Sequence, residues 1–283
     1  MSVSLAELIA STSELSSLPT TTMQMMKLLD DETVEASRVL EVIEKDPSLT
    51  ANLLKLANSA FYGLRRKVGS TREALILLGN QTIVTLAFAT SMGDVLRGPL
   101  SAYRLDRNAL WHHALGTALA ATHLASISGD QETRERAFTA GLVHDIGKLL
   151  LNRPLKSKLD QLPPDCGFSC LLEAETNILG YNHAEAGASL AEAWNFPAYL
   201  VGVIRNHHEN PDDSPEGNLI RTVSVANLIT CHLGWGGGTG EISEDNFWEG
   251  VSGFGFDEDI LRELMEKLPA DLDGMLGMIG ESL

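Results

Sequence analysis

Residues 140–151 read Ala-Gly-Leu-Val-His-Asp-Ile-Gly-Lys-Leu-Leu-Leu, which places the polar pair His144 and Asp145 inside an otherwise apolar run. Burying a carboxylate beside an imidazole costs free energy unless both groups are paired or bound to a cation. A divalent metal ion is the simplest cation that uses both groups, because imidazole nitrogen and carboxylate oxygen are common metal ligands. The stretch therefore predicts a buried metal site.

Four further histidines stand in other segments that are predicted to be helical. They are His113, His183 and the adjacent pair His207 and His208. Their separation along the chain favours a site assembled from several helices. Successive residues of an α-helix point about 100° apart, so His207 and His208 are expected to face two neighbouring ions rather than one. A carboxylate such as that of Asp145 can bridge two ions, as in two-metal hydrolases.

The composition predicts an all-α fold. Hydrophobic residues make up 44% of the 283 residues but aromatic residues only 6%, so the core consists mainly of Leu, Ala, Val and Ile, which favours helices. No useful length of the chain shows the alternation of a strand. One predicted helix runs from Glu132 to Asn152, with Pro154 marking its end. Another begins near Pro197 and holds the histidine pair.

Changes in composition divide the predicted helices into three parts. Residues 1–102 form an N-terminal helical lobe, and residues 103–235 form a lobe that carries the His/Asp cluster. Residues 236–283 form a glycine-rich linker and a helical tail. The tail is expected to contain one amphipathic helix around residues 260–268 and a second, weaker helix from Leu272.

The charge and the apolar runs narrow the range of partners. A formal net charge of −17 argues against general nucleic-acid binding, which requires Lys and Arg to neutralise phosphates. No apolar run approaches the roughly 18 residues of a membrane span, and the first residues lack the basic charge of a signal peptide. Three cysteines are too few for a disulfide framework and are expected to be reduced. We therefore predict a cytoplasmic protein with no membrane or nucleic-acid partner.

Several segments, in order from about residue 15 to 233, resemble the HDOD family, the HD-related output domain of bacterial signalling proteins. The segments are Leu18-Pro19, Asp46-Pro47-Ser48-Leu49-Thr50, residues 54–63 (Leu-Lys-Leu-Ala-Asn-Ser-Ala-Phe-Tyr-Gly), residues 74–79 (Ala-Leu-Ile-Leu-Leu-Gly), residues 110–114 (Leu-Trp-His-His-Ala), residues 141–148 (Gly-Leu-Val-His-Asp-Ile-Gly-Lys), residues 183–187 (His-Ala-Glu-Ala-Gly), Trp194-Asn195-Phe196-Pro197 and His207-His208-Glu209. The match is specific, and it does not cover the tail after Gly240. It implies an HD-domain-like bundle of helices with an N-terminal helical lobe.

The resemblance also implies a metal centre, because the HD superfamily includes metal-dependent phosphohydrolases such as the HD-GYP cyclic-dinucleotide phosphodiesterases. The implied ligands are His113, His144, Asp145, His183, His207 and His208. His112 is the alternative to His113, which family register favours. Asp145 would bridge, and Lys148 would contact a phosphate. The implied ion is a divalent transition metal: Fe, Mn, Ni or Zn.

Three departures from the superfamily pattern bear on activity. Asn227 stands where the superfamily closes its first metal site with an Asp, and Ala109 stands where the dinuclear HD-GYP enzymes use a Glu. The Gly-Tyr-Pro motif is absent after Glu209. The first site therefore lacks an anionic ligand, whereas the second, formed by Asp145, His183, His207 and His208, is complete in the sequence.

The resemblance and the departures together favour a signal-transduction output or regulatory module with a degenerate metal site. Such a module acts through a signalling protein partner, and the acidic surface and the tail after Gly240 are candidate docking features. Two alternatives stay open. One is a metal-dependent phosphohydrolase acting on a nucleotide or cyclic dinucleotide, and the other is a non-catalytic sensor that binds a metal ion or a nucleotide. Enzymatic activity is the less favoured reading.

Overall fold

The computed structural model of the chain describes residues 4–12, 15, 18–29, 34–158, 168–209, 216–238, 242–279 and 281. Every regular element within these ranges is helical, which confirms the predicted all-α class. The α-helices are α1 (Leu5–Ser11), α2 (Thr20–Leu29), α3 (Ala36–Glu44), α4 (Pro47–Ala57), α5 (Thr71–Leu78), α6 (Asn80–Leu96), α7 (Ala109–Ser128), α8 (Gln131–Val143), α9 (Gly147–Lys156), α10 (Phe168–Leu179), α11 (His183–Ala193), α12 (Ala198–Asn206), α13 (Gly217–His232), α14 (Glu244–Val251) and α15 (Glu258–Ile279). Two short 3-10 helices lie at Ala60–Tyr62 and Ser101–Tyr103.

The backbone contacts group the chain into two units. The His-bearing unit consists of Met1–Ser17 and Leu96–Glu266, and the smaller unit consists of Leu18–Val95 and Lys267–Leu283. Both units therefore combine segments that are remote in sequence, whereas the predicted parts, 1–102, 103–235 and 236–283, are each continuous. The division of the chain into domains at residues 1–102, 103–235 and 236–283 therefore remains a prediction.

Local capping sets both ends of α4 in the smaller unit. The Oδ1 atom of Asp46 accepts hydrogen bonds from the backbone amides of Ser48 and Leu49 at 2.9 and 3.0 Å, so α4 begins at Pro47. The Asn58 side chain ends α4: its Nδ2 donates to the carbonyl of Leu54, and its Oδ1 accepts the amide of Val68. Asn58 therefore closes the C-terminal end of α4 and joins it to the segment at Val68.

Helix α7 forms the centre of the His-bearing unit. Its residues from Leu110 to Ala121 are buried, apart from His112, and it packs against α8 and α13. The Thr117 and Thr230 hydroxyls share a hydrogen bond of 3.0 Å across the contact between α7 and α13. Helix α11 packs against α9 and α12. Burial on all sides leaves polar side chains in this core only where they find a partner or a ligand.

The predicted helix from Glu132 to Asn152 is wrong, because the chain breaks at the His-Asp pair. Helix α8 ends at Val143 and α9 begins at Gly147. The amide of Ile146 donates to the carbonyl of Val143, and the amide of Lys148 donates to that of Asp145, so the break is a tight turn. Neither residue type nor apolar pattern marks this break. The turn carries His144 and Asp145 to the end of α8.

Pro154 does not end its helix, contrary to the prediction, since α9 continues through it to Lys156. The histidine pair also lies outside a helix, because α12 ends at Asn206 and His207 is its C-cap. The two helices predicted around residues 260–268 and from Leu272 form the single helix α15, with Pro269 inside it, and α14 precedes it in the tail. A proline removes one hydrogen bond, and packing on the apolar face compensates in both helices.

Cys170 is disulfide-bonded, which corrects the expectation of a reduced thiol, and Cys231 is a buried free thiol.

The close approach of α9 and α11 depends on Gly147. A Cβ atom at this position would lie 1.8 Å from the carbonyl oxygen of His183 and 2.5 Å from the amide nitrogen of Gly187. Gly147→Ala is therefore expected to lower the free energy of unfolding by about 3 kcal/mol, because backbone atoms must move. Gly202→Ala in α12 is the control: its Cβ would meet nothing within 4 Å, so a gain of up to about 1 kcal/mol is expected. Urea unfolding of both variants measures the effects, and equal effects would contradict this packing.

None of the helices in the described ranges combines the length and the apolar character that crossing a membrane requires.

Candidate metal centre

The six predicted ligands come from four chain segments and meet in the His-bearing unit. His113 lies on α7, the pair His144 and Asp145 occupies the turn after α8, and His183 is the first residue of α11. His207 and His208 follow α12. Their potential ligand atoms form two groups in which all atoms lie within 4.8 Å of one another. The four-residue group is Asp145, His183, His207 and His208, and the three-residue group is His113, His144 and Asp145.

Asp145 belongs to both groups, and each of its oxygens faces a different pair of imidazoles. Its Oδ1 lies 3.3 Å from His183 Nε2 and 3.6 Å from His207 Nε2. Its Oδ2 lies 3.2 Å from His113 Nε2 and 3.5 Å from His144 Nε2. The carboxylate therefore stands between the groups, in the bridging position that the resemblance implies.

The helical expectation for the histidine pair is not met, because His207 and His208 contribute to the same group. Beyond the end of α12 their rings are no longer held about 100° apart by helical geometry. Their ring centroids lie 4.0 Å apart, and His208 Nε2 lies 2.9 Å from His183 Nε2. His113 belongs to the three-residue group, whereas its half-buried neighbour His112 belongs to neither group.

Hydrogen bonds at the far side of two rings, those of His144 and His207, orient their Nε2 atoms toward Asp145. The Nδ1 atom of His144 lies 2.7 Å from the carbonyl oxygen of Gly141, and that of His207 lies 2.8 Å from the carbonyl oxygen of Ile204. A carbonyl only accepts, so each Nδ1 carries a proton, and the tautomer with its proton at Nδ1 presents a lone pair at Nε2. Metal-binding histidines are usually held by such a bond.

Buried atoms without hydrogen bonds test whether a metal ion fits. Among the described residues, Asp145 Oδ1 and His207 Nε2 are buried and make no hydrogen bond, although both side chains are at most 2% exposed. Leaving such atoms unsatisfied costs about 1–3 kcal/mol each. A divalent cation would satisfy both at once, since both are electron-pair donors. The four-residue group therefore fits a metal ion.

Glu175 and Tyr103 complete the site, and neither residue was among those predicted from the sequence. Glu175 on α10 is fully buried, and its Oε2 accepts from the amide of His183 at 2.7 Å and from His183 Nδ1 at 2.8 Å. The Tyr103 hydroxyl donates to Oε1 at 2.6 Å. Glu175 thus fixes the position and the tautomer of His183. A glutamate on an otherwise ordinary amphipathic helix gives no local signal of this role.

The glycine run Gly236–Gly238, which follows α13, also lies against the site and is not a free spacer. The Lys148 ammonium donates to Asp145 Oδ2 and, at 2.8 Å, to the carbonyl oxygen of Gly237. A Cβ at Gly236 would lie 3.3 Å from the Cβ of His113. The predicted phosphate contact of Lys148 stays a prediction, and two of its three N–H donors are already used.

Burial and charge set the protonation of the cluster. Burial lowers the pKa of His113 and of His207 to about 4, so both rings are neutral near pH 7. Burial raises the pKa of the Asp145 carboxyl, but Lys148 and the imidazoles outweigh it and hold that pKa well below its usual range. Burial also opposes charge on His183, yet the carboxylate of Glu175 outweighs it and raises the pKa of His183. Neutral imidazoles beside an ionised carboxylate are ready to bind a cation.

These pKa shifts predict a loss of stability in acid. The unfolded chain binds protons at its histidines near pH 6.5, whereas folded His113 and His207 bind them near pH 4. Stability is therefore present above pH 6.5 and is lost as the pH falls toward 4, on the order of 3 kcal/mol for each imidazole. His183 acts in the opposite direction because its pKa is raised. Urea unfolding of metal-free protein between pH 7.5 and pH 4 measures the slope, and a flat profile would contradict these assignments.

Asn227 marks the largest departure from the superfamily pattern. Its side chain is buried on α13, and its Oδ1 accepts a hydrogen bond from the Cys231 thiol at 3.4 Å. Ala109 is the first residue of α7 and offers no ligand atom. Within the described residues, the three-residue group therefore has Asp145 as its one carboxylate, which it shares with the four-residue group.

Comparisons with known proteins identify relatives of this chain. A family model described as the HDOD domain matches residues 15–210. A protein of Treponema pallidum (strain Nichols), whose function is uncharacterised, is 29% identical over 226 residues, and the match covers 76% of this chain. This chain spans only 42% of the length of that curated relative.

Two solved structures share the fold along most of this chain. A proposed phosphohydrolase from Shewanella amazonensis SB2B is 27% identical with a TM-score of 0.71, and the match covers 98% of this chain and 96% of that one. A proposed signal transduction protein from Marinobacter aquaeolei VT8 is 25% identical with a TM-score of 0.70, and the match covers 93% of this chain and 58% of that one.

Proposed function

Because this chain belongs to the HDOD domain family, we propose that it is a regulatory module of signal transduction that holds one divalent metal ion and acts through a protein partner. In this proposal the module hydrolyses no phosphate ester. The observation that carries it is the closed four-residue group. Asp145, His183 and His207 are at most 2% exposed, and His208 supplies a fourth protein ligand atom.

Closure distinguishes a structural or regulatory metal site from a catalytic one. Structural zinc sites use four protein ligands, whereas catalytic sites use three and keep one position for water or substrate. Four protein ligands leave a tetrahedral ion no such position. When bound, the ion would supply positive charge that neutralises the buried carboxylate. The chain itself orients the ligands through Gly141, Ile204 and Glu175, which hold the far nitrogens of the rings.

The ligand chemistry also favours one ion over two. Two-metal hydrolases hold both ions by carboxylates and imidazoles about 4 Å apart. Here the three-residue group shares its carboxylate, and the superfamily's acidic position is Asn227, whose amide oxygen already accepts the Cys231 thiol. A neutral amide is a poor ligand for a transition metal beside imidazoles.

A protein partner is the remaining part of the proposal. The Marinobacter relative of known structure is a proposed signal transduction protein. The net charge of −17 favours a partner with a basic docking surface, whose association would be fast at low salt and slower at high salt. In this proposal the module is cytoplasmic, and it binds neither a nucleic acid nor a membrane.

A combined metal and turnover assay tests the proposal. The chain, purified without a metal-binding tag and reconstituted with Mn²⁺, Fe²⁺, Ni²⁺ or Zn²⁺, is expected to retain about one ion per chain. It should release no product from a phosphomonoester, a phosphodiester or a cyclic dinucleotide. Hydrolysis that requires the ion and disappears in Asp145→Asn would overturn the regulatory assignment. A chain that retains no ion would overturn the metal centre.

The Shewanella relative favours one alternative, a metal-dependent phosphohydrolase, because it is a proposed phosphohydrolase at 27% identity over nearly the whole chain. The bridging position of Asp145 is also compatible with hydrolysis. The other alternative is a sensor that binds a metal ion or a nucleotide without turnover. Calorimetric titration of the metal-loaded chain with nucleotides separates it, since it alone predicts nucleotide binding without product.

A further inference from the structure

One stretch of the chain has a charge opposite to the net charge. Residues 54–72 contain five basic residues and no acidic residue, although the formal net charge of the chain is −17. The basic residues are Lys55, Arg65, Arg66, Lys67 and Arg72. All five are exposed, and among the described residues only Arg66 of these five forms an ion pair, with Glu73. The other four leave a local excess of positive charge at the surface.

The loop that carries residues 65–67 is held at its base by side chains. The Asn58 amide binds the backbone of Val68 in both directions: Nδ2 donates to the carbonyl at 3.0 Å, and Oδ1 accepts from the amide at 2.8 Å. The amide of Gly69 donates to Glu73 Oε2 at 3.0 Å. A loop that is already ordered loses less conformational entropy on association. The basic side chains are therefore presented on a preorganised backbone.

Helix α5 adds apolar area beside this loop. Ile76 is 74% exposed and Leu77 is 48% exposed. Arg72 lies four residues before Ile76, and residues four apart share one face of a helix. The ion pair between Arg66 and Glu73 ties the loop to α5. We call these residues the basic surface: Arg65, Arg66, Lys67, Arg72, Ile76 and Leu77. Arginine combined with apolar side chains is typical of surfaces that another protein covers.

Helix α14 and the first half of α15 carry the opposite charge. Residues 244–266 contain eight acidic residues, all exposed, and one basic residue. That basic residue, Arg262, lies 3.7 Å from Glu244 on α14 and 2.7 Å from Glu258 on α15, so it joins the two helices and is already paired. Its guanidinium also lies 4.4 Å from the ring centroid of the half-buried Trp248. We call the exposed side chains of residues 244–266 the acidic surface.

We propose that the basic surface of one chain docks on the acidic surface of a second copy. The two surfaces are opposite in charge and each carries apolar area, so their contact pairs charges and removes apolar groups from water. The contact is heterologous, because two different surfaces meet, and copies therefore associate head to tail. The inference does not depend on the metal centre. A protein partner with a basic docking surface would compete for the same acidic surface.

The net negative charge of each copy opposes this association only weakly at physiological salt. Repulsion between exposed charges is screened beyond the Debye length of about 8 Å, whereas charges in direct contact at the docked surfaces lie well within that distance. The local charge of the two surfaces therefore decides whether the copies bind.

Sedimentation velocity of the full chain tests the proposal. Raising the salt concentration from about 50 mM to about 500 mM shortens the Debye length roughly threefold. One variant combines Arg65→Glu with Lys67→Glu, and a second combines Asp245→Lys with Glu249→Lys. The control combines Arg134→Glu with Lys156→Glu, which changes the net charge as much as the first variant does, at exposed positions outside both surfaces. Circular dichroism verifies that each variant is folded.

The wild type and the control are expected to associate at low salt, with a dissociation constant that rises about tenfold or more at high salt. Each of the other variants is expected to stay monomeric alone. Their equimolar mixture is expected to associate again, because each supplies the surface that the other lacks. A wild type that stays monomeric at low salt would overturn the proposal without any variant. A control that fails to associate, a basic-surface or acidic-surface variant that associates like the wild type, or a mixture that stays monomeric would overturn it as well.

Discussion

Replacing Asp145 with asparagine is expected to empty the metal centre and to lower the free energy of unfolding by about 3–5 kcal/mol. The carboxylate is the one ligand that both groups share. It also neutralises Lys148, which would be left as a buried charge without its anionic partner. Elemental analysis measures the retained ion, and urea unfolding in the presence of a chelator measures the loss of the ion pair without the contribution of the metal.

The control for this variant is Asp273→Asn, which changes an exposed carboxylate on α15. It should leave metal content unchanged and alter stability by no more than about 0.5 kcal/mol. If Asp145→Asn retained its ion and its stability, the carboxylate would be neither a ligand nor the partner of Lys148. A loss of stability without a loss of the ion would leave only the ion pair.

Glu175→Gln is expected to weaken metal binding by about 10–100-fold, although Glu175 touches no metal-binding atom of the cluster. The carboxylate holds His183 through two hydrogen bonds and accepts a third from Tyr103. An amide in its place points an N–H₂ group at one of these donors, which costs about 1–3 kcal/mol of stability. It also removes the charge that holds the proton on Nδ1 of His183. Competition with a chromophoric chelator measures the affinity.

Two further variants separate positioning from packing. Glu173→Gln changes an exposed glutamate on the same helix and should leave the affinity unchanged. Tyr103→Phe removes one hydrogen bond to Glu175 and should cost about 1 kcal/mol of stability while metal affinity falls only slightly. An affinity that is equal in Glu175→Gln and the wild type would mean that His183 keeps its orientation without the carboxylate.

Much of the helical framework could be predicted from residue type and spacing. Asp46-Pro47 and Gly79 set helix ends through local capping and backbone conformation, which a short stretch of sequence contains. The break at the His-Asp pair could not be predicted. Residues 140–151 have a continuous helix-compatible pattern, and the turn is stabilised by packing of Gly147 against α11, a contact between residues far apart in sequence.

The residues of the candidate site could likewise be predicted from the sequence only in part. His113, His144 and Asp145 could be found because buried polar residues in apolar segments are conspicuous, and the resemblance ordered them. Glu175 and the Gly237 carbonyl could not be found. A single glutamate in an amphipathic helix and a backbone carbonyl have no distinctive sequence pattern, and their role arises only when α10 and the glycine run fold against the cluster.

The hydrogen bonds around the cluster join residues that are distant in the chain: 31 residues separate His113 from His144, 72 separate Tyr103 from Glu175, and 89 separate Lys148 from Gly237. Closing loops of this length costs entropy, so we expect such contacts to form late, when most of the His-bearing unit has folded. An ion that requires them binds the native chain and not the unfolded one, and it raises the melting temperature as its concentration rises. Occupancy of the proposed centre would thus be a readout of complete folding, and a newly made chain would acquire a metal ion only after the last of these segments has been synthesised.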